Sequence, residues 1–168
     1  KNNDFTGLGF NPSQFGLYAI YLEDTAVANN ITSITGNTFT NLAVNTGYLS
    51  LITAQGFMGS NAIRNIDSNK TVGTFSFIGG GFEMINTTGF NVLDFLTTIN
   101  NNEFSNAILN IAEGNYAYAS VISDGNSTNK NQIRNNIVNN VNQTGGIFIA
   151  ILEQGGFVST SDTSRISN

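Results

Sequence analysis

The side chains able to do acid–base or metal chemistry are few. The 168 residues hold 11 Asp and Glu against 6 Lys and Arg, with no His and no Cys. Without His or Cys, the common pairings of a nucleophile with its base are out of reach, and a disulfide scaffold or thiolate metal site is excluded. Carboxylate chemistry remains. Polysaccharide hydrolysis would need an acid and a base held roughly 5–10 Å apart. Glu23-Asp24 is the one adjacent acidic pair, and neighbours on an extended strand face opposite sides. A Ca²⁺ site would need several Asp in one place, yet Asp67, Asp94 and Asp124 share no position in the repeat described below. The sequence therefore assigns no catalytic residue, no metal ligand and no cofactor. Aromatic chemistry is better represented. Tyr18, Tyr21, Tyr48, Tyr116 and Tyr118 all lie in apolar runs opened by Gly, and tyrosines exposed on a flat sheet could stack on sugar rings.

Charge narrows the partners. The net charge is -5 and charged residues make up only 10% of the chain. Phosphate recognition needs clustered Lys and Arg, so neither nucleic acid nor an anionic membrane surface is expected. No apolar run approaches the ~20 residues that span a bilayer. With 40% apolar residues the low charge does not signal disorder, and a chain of this length can bury a core as a single domain.

The elements that would position any site are written in a repeat. Asn, any residue, Phe or Ile, any residue, Asn occurs at Asn37–Asn41, Asn61–Asn65, Asn102–Asn106 and Asn131–Asn135, with degraded copies at Asn3–Gly7 and Gly80–Met84. Stronger apolar runs alternate with these motifs, each opened by a Gly: Gly16, Gly47, Gly73, Gly89, Gly114 and Gly146. The runs are short, β-branched or aromatic, and alternate in polarity, as in Thr74-Phe75-Ser76-Phe77. That is strand chemistry. Six repeats in 168 residues average 28 residues each, a period that indicates stacked coils of short strands.

The reading is an all-β, right-handed parallel β-helix of about six coils, covering residues 1–168. Phe5, Phe39, Ile63, Phe82, Phe104 and Ile133 are expected to stack in one inward column at the ~4.8 Å strand spacing. Thr40, Arg64, Glu83 and Ser105 are expected to point outward, with Arg64 and Glu83 in ion-pair reach. Asn41, Asn65, Asn106 and Asn135 are expected to form a ladder at the bends, because Asn tolerates left-handed backbone and its amide can bond to the same amide one coil away.

The phrases Ile34–Leu42 and Asn131–Ile137 resemble the right-handed parallel β-helix repeats of large, secreted, adhesin-like bacterial surface proteins. The resemblance covers essentially the whole chain. It implies an extracellular or cell-surface location and a structural or adhesive, non-catalytic role in a fibre or adhesin. It transfers no functional residue, since the same architecture also carries polysaccharide lyases and hydrolases; a carbohydrate-binding or carbohydrate-cleaving β-helix is the alternative. The N-terminal Asn2-Asn3-Asp4-Phe5 and C-terminal Arg165–Asn168 read as parts of one interrupted repeat. Expected partners are therefore further coils or copies of the chain itself, end to end, together with surface polysaccharide.

Overall fold

The computed structural model describes residues 1–7, 9–10, 16–89, 95–112, 117–124, 130–153 and 165–167. Every regular element among them is a β-strand. The first layer contains β1 (Asp4–Thr6), β2 (Gly9–Phe10), β3 (Gly16–Ala26) and β4 (Ile31–Thr35). The second contains β5 (Thr38–Asn45), β6 (Tyr48–Met58) and β7 (Ile63–Asp67). The third contains β8 (Lys70–Gly79), β9 (Gly81–Gly89) and β10 (Leu96–Asn100). The fourth contains β11 (Glu103–Ile111), β12 (Tyr118–Asp124) and β13 (Lys130–Arg134). The fifth contains β14 (Ile137–Thr144), β15 (Ile147–Glu153) and β16 (Arg165–Ser167). Each strand pairs in parallel with its counterparts in adjacent layers, giving three sheets ordered β1-β5-β8-β11-β14, β3-β6-β9-β12-β15 and β4-β7-β10-β13-β16, with β2 beside β5. The fold is a parallel β-solenoid of about four turns, fewer than the six coils expected.

The miscount has a simple origin. Phe5, Phe39 and Phe104 lie on the first sheet, Phe82 on the second, and Ile63 and Ile133 on the third. The six motif copies thus sample three different sides of the coil. The true period is seen in equivalent residues of successive layers, which are 34, 32, 33 and 34 residues apart. Similar motifs arise on different sides because every strand needs an inward apolar residue and every corner a residue tolerant of left-handed backbone.

The expected single column is correspondingly several. Phe39, Phe82, Phe104 and Ile133 are all buried in one core cluster, but they converge from three walls. Phe5 stacks on Phe39 at 5.1 Å between centroids, and Phe82 stacks on Phe104 at 5.2 Å. In the third sheet the inward column is Ile34, Ile66, Ile99 and Ile133, with Ile166 next in register. Ile63 falls out of it. Side chains on a strand alternate, and β7 sends Arg64 and Ile66 inward, leaving Ile63 half-buried. Arg64 is therefore fully buried rather than outward. Its Nη1 donates to the Ala54 carbonyl at 3.0 Å and its guanidinium lies 5.8 Å from the Phe95 ring centre. Ser105 is buried too, and Glu83, although it lies on the outer face of its sheet, is covered there by neighbouring side chains. Since Glu83 belongs to β9 and Arg64 to β7, the two are not outward neighbours on one sheet.

Candidate functional site

Two polar constellations stand out, and both are products of layer stacking. The first is an Asn ladder at the corner leading into the first sheet. It consists of Asn3, Asn37, Asn69, Asn102 and Asn136. In each step the backbone N–H and Nδ2 of one Asn donate to Oδ1 of the next, at 2.8–3.1 Å. The amides of Asn69, Asn102 and Asn136 donate again, to the carbonyls of Ile34, Ile66 and Ile99 at 2.8–3.0 Å. Asn37, Asn69 and Asn102 are buried, where unpaired amides would be costly.

The ladder is made of different asparagines from those expected. Asn41 and Asn106 lie in a bend column within the first sheet: Gly7, Asn41, Gly73, Asn106 and Asn140 all have positive φ, between 51° and 73°. Asn140 donates to Asn106 Oδ1 at 2.7 Å, and Asn41 Oδ1 accepts the Thr74 N–H at 3.1 Å. At Gly73 a Cβ would come within 2.1 Å of Asn41 Oδ1, so this position must be bare. Asn135 belongs to another left-handed column, with Asn2, Gly36, Ser68 and Asn101, and donates weakly to Asn101 Oδ1 at 3.4 Å. Asn65 lies within β7, where its Oδ1 accepts from Thr98 at 2.7 Å. Thus Asn41 and Asn106 share a column, while Asn65 and Asn135 each stand elsewhere.

The second constellation lies on the outer face of the second sheet. Tyr48, Gly81 and Tyr118 are in register on consecutive strands. A Cβ at Gly81 would approach Tyr48 Cδ2 to 3.0 Å, so the glycine leaves room for that ring. Glu83, two residues on, emerges on the same face. Its Oε1 accepts the Tyr118 hydroxyl at 2.7 Å, and its Oε2 accepts from the Tyr48 hydroxyl and Asn86 Nδ2. Glu83 is only 1% exposed. Burial, and then the bond to this carboxylate, push both tyrosine hydroxyls well above their ordinary pKa. A carboxylate so surrounded by donors from its own sheet is suited to locking the layers together.

Tyr18 and Tyr21 continue this face outward and are each 47% exposed. Tyr18 meets Tyr21 edge-on at 5.4 Å and Tyr48 at 5.8 Å, and Tyr21 accepts from Gln55 Nε2. Tyr116 lies outside the described residues, as do Asp94 and the side chains of Asp24 and Asp124. Asp67 is held by Ser68 and Asn101. Among the described residues no three of His, Cys, Asp and Glu gather to hold a metal ion. A shallow groove crosses the corner between the first and second sheets past Gly47, Gly79 and Gly80. At Gly79 a Cβ would sit 1.8 Å from the Thr46 carbonyl oxygen, so that glycine serves close backbone approach.

The missed residues Asn69 and Asn136 had a signal. Asn3, Asn37, Asn69, Asn102 and Asn136 each open a five-residue phrase ending in Gly or Asn. Their central residues are Phe, Phe, Thr, Phe and Val, so requiring Phe or Ile hid two of the five. No family model matches this sequence, and neither a curated protein nor a solved structure matches it.

Proposed function

We propose that this chain is a structural, non-catalytic segment of an extracellular fibre or surface adhesin. The observation that supports this reading is the Asn ladder, which runs through all five layers with the amides of one layer bonded to the next. The buried carboxylate Glu83 is likewise bonded between layers, to Tyr48 on one side and Tyr118 on the other. Polar chemistry here serves length and rigidity. The test has two arms. Incubation with a panel of neutral and acidic polysaccharides should release neither reducing ends nor unsaturated products; either product overturns the non-catalytic reading. Antibody labelling and protease shaving of intact source cells should find the chain outside; an epitope protected until lysis overturns the location.

A second reading, polysaccharide binding, is favoured by one observation: the half-exposed Tyr18 and Tyr21 rings beside Tyr48. Affinity electrophoresis in polysaccharide gels should then show retardation that Tyr18→Ala with Tyr21→Ala abolishes. Equal mobility of both proteins in every gel removes this reading.

A further inference from the structure

Tyr18, Tyr21 and Tyr48 form one run of touching phenol rings on the outer face of the second sheet. Tyr18 is the middle member, with its ring centre 5.4 Å from that of Tyr21 and 5.8 Å from that of Tyr48. Ring edges and faces are in contact at such separations. The two contacts differ in kind. Tyr18 and Tyr21 share β3, whereas Tyr48 belongs to β6 of the next layer, 30 residues further along the chain. The glycine in register with Tyr48 is Gly16. A Cβ there would lie 3.2 Å from Tyr48 Cδ1 and 3.8 Å from Tyr18 Cε2. The bare backbone at Gly16 thus gives both rings room beside each other, and the Tyr18 atom nearest this point is a carbon ortho to its hydroxyl.

Phenols in contact have a chemistry that separated phenols lack. A phenol that gives up an electron becomes a strong acid, and its phenoxyl radical carries spin on the ortho carbons. Two neighbouring radicals then join ortho to ortho. Tyr48 is prepared for the first step, because its hydroxyl already donates to Glu83 Oε2. A positioned carboxylate can take the proton as the electron leaves.

We propose that Tyr18 and Tyr48 are a site of oxidative modification: with hydrogen peroxide and a haem peroxidase they couple to a biphenol that joins the first layer to the second. Each phenol gives one electron to the oxidant and one proton, that of Tyr48 to Glu83 and that of Tyr18 to water. The new bond forms between ring carbons ortho to the hydroxyls. The hydrogens on those carbons move to the oxygens, which restores both phenols, and Glu83 passes its proton to water. In sum the pair loses two hydrogen atoms and one hydrogen peroxide becomes two waters. A chain without Cys has no disulfide to tie its layers, and this bond supplies such a tie. The proposal is independent of the fibre and polysaccharide readings, whose assays involve no oxidant.

The sequence makes the test direct. Cleavage after glutamate separates residues 1–23, which hold Tyr18 and Tyr21, from residues 24–83, whose one tyrosine is Tyr48. The whole chain, treated in dilute solution with hydrogen peroxide and a haem peroxidase, should gain biphenol fluorescence and lose the mass of two hydrogen atoms. After glutamate cleavage the two peptides should be recovered as one linked species. Tyr21→Phe should leave that species in place, and Tyr18→Phe should lower its yield at least about tenfold. Treatment of the parent in urea should lower it by a similar factor, because the folded contact supplies the proximity. The linked chain should melt about 5 °C or more above the untreated one, since its unfolded state is constrained. Absence of the linked species, a bond confined to residues 1–23, or an undiminished yield in urea or from Tyr18→Phe overturns the proposal. The urea comparison uses the parent chain alone, so it decides even where a variant fails to fold.

Discussion

The backbone N–H and the Nδ2 of Asn69 both point at Oδ1 of Asn102, at 3.0 and 2.9 Å. One side-chain oxygen thereby serves two donors of the layer beneath, and neither residue is exposed by more than 2%. Replacing Asn102 by Ala leaves those donors and the Ile66 carbonyl unserved. Buried groups left unpaired cost about 1–3 kcal/mol each, so the loss should be at least ~3 kcal/mol by urea unfolding. The exposed Asn139→Ala should fall within ~0.5 kcal/mol of the parent. Comparable losses at the two positions would remove the special standing of the ladder.

Phe104 and Ile63 occupy equivalent places in the sequence motif and unequal places in the fold. Phe104 is fully buried against Phe75 and Phe82, so Phe104→Ala should cost ~3–5 kcal/mol through the cavity it leaves. Ile63 is half-buried, and Ile63→Ala should cost no more than about half as much. Denaturation midpoints of the two variants, compared at equal m-value, check the ordering.

The tyrosine bonds to Glu83 carry a pH signature. In the folded chain the hydroxyls of Tyr48 and Tyr118 are raised, by burial first and then by the carboxylate. In the unfolded chain they return to about 10. The folded state then holds protons that the unfolded state releases, so this contribution is complete below pH ~10 and is lost as pH rises above it. Stability measured from pH 8 to 11 should fall less steeply in Tyr48→Phe/Tyr118→Phe than in the parent. At pH 8 each single replacement should cost ~1.5–3 kcal/mol, the range for a bond to a charged group. Parallel pH profiles for parent and double variant would contradict the assignment.

Gly79→Ala tests the tightest corner. The added methyl would meet the Thr46 carbonyl at 1.8 Å and the Phe77 ring at 2.5 Å. Neither the backbone nor a packed core ring yields cheaply, so a loss of ~3 kcal/mol or more is expected. A thermal midpoint unchanged from the parent would show that this corner relaxes freely.

Composition and local pattern were enough to determine the class of this protein. Short β-branched and aromatic runs broken by Gly and Asn can form only short strands and tight corners, and their repetition implies stacked parallel layers. The burial of Phe39, Phe82 and Phe104 followed from the same pattern. Which asparagine met which did not follow. Asn-x-Phe/Ile-x-Asn describes a strand and its corner on any wall of the coil, so Ile63 and Ile133 looked equivalent although they stand three residues apart in register, with Ile66 and Ile99 in the column of Ile133. Register is decided between layers, by the extra residue that β8 inserts opposite Asn41 and by the fit of a bare Gly73 over that amide. Strand alternation then turned Arg64 inward, and stacking brought Tyr48 and Tyr118, 35 residues on either side of Glu83, onto one carboxylate. Local sequence specifies the strands and the bends; which side chains become neighbours across layers is set only when the coil closes and the next turn settles upon it.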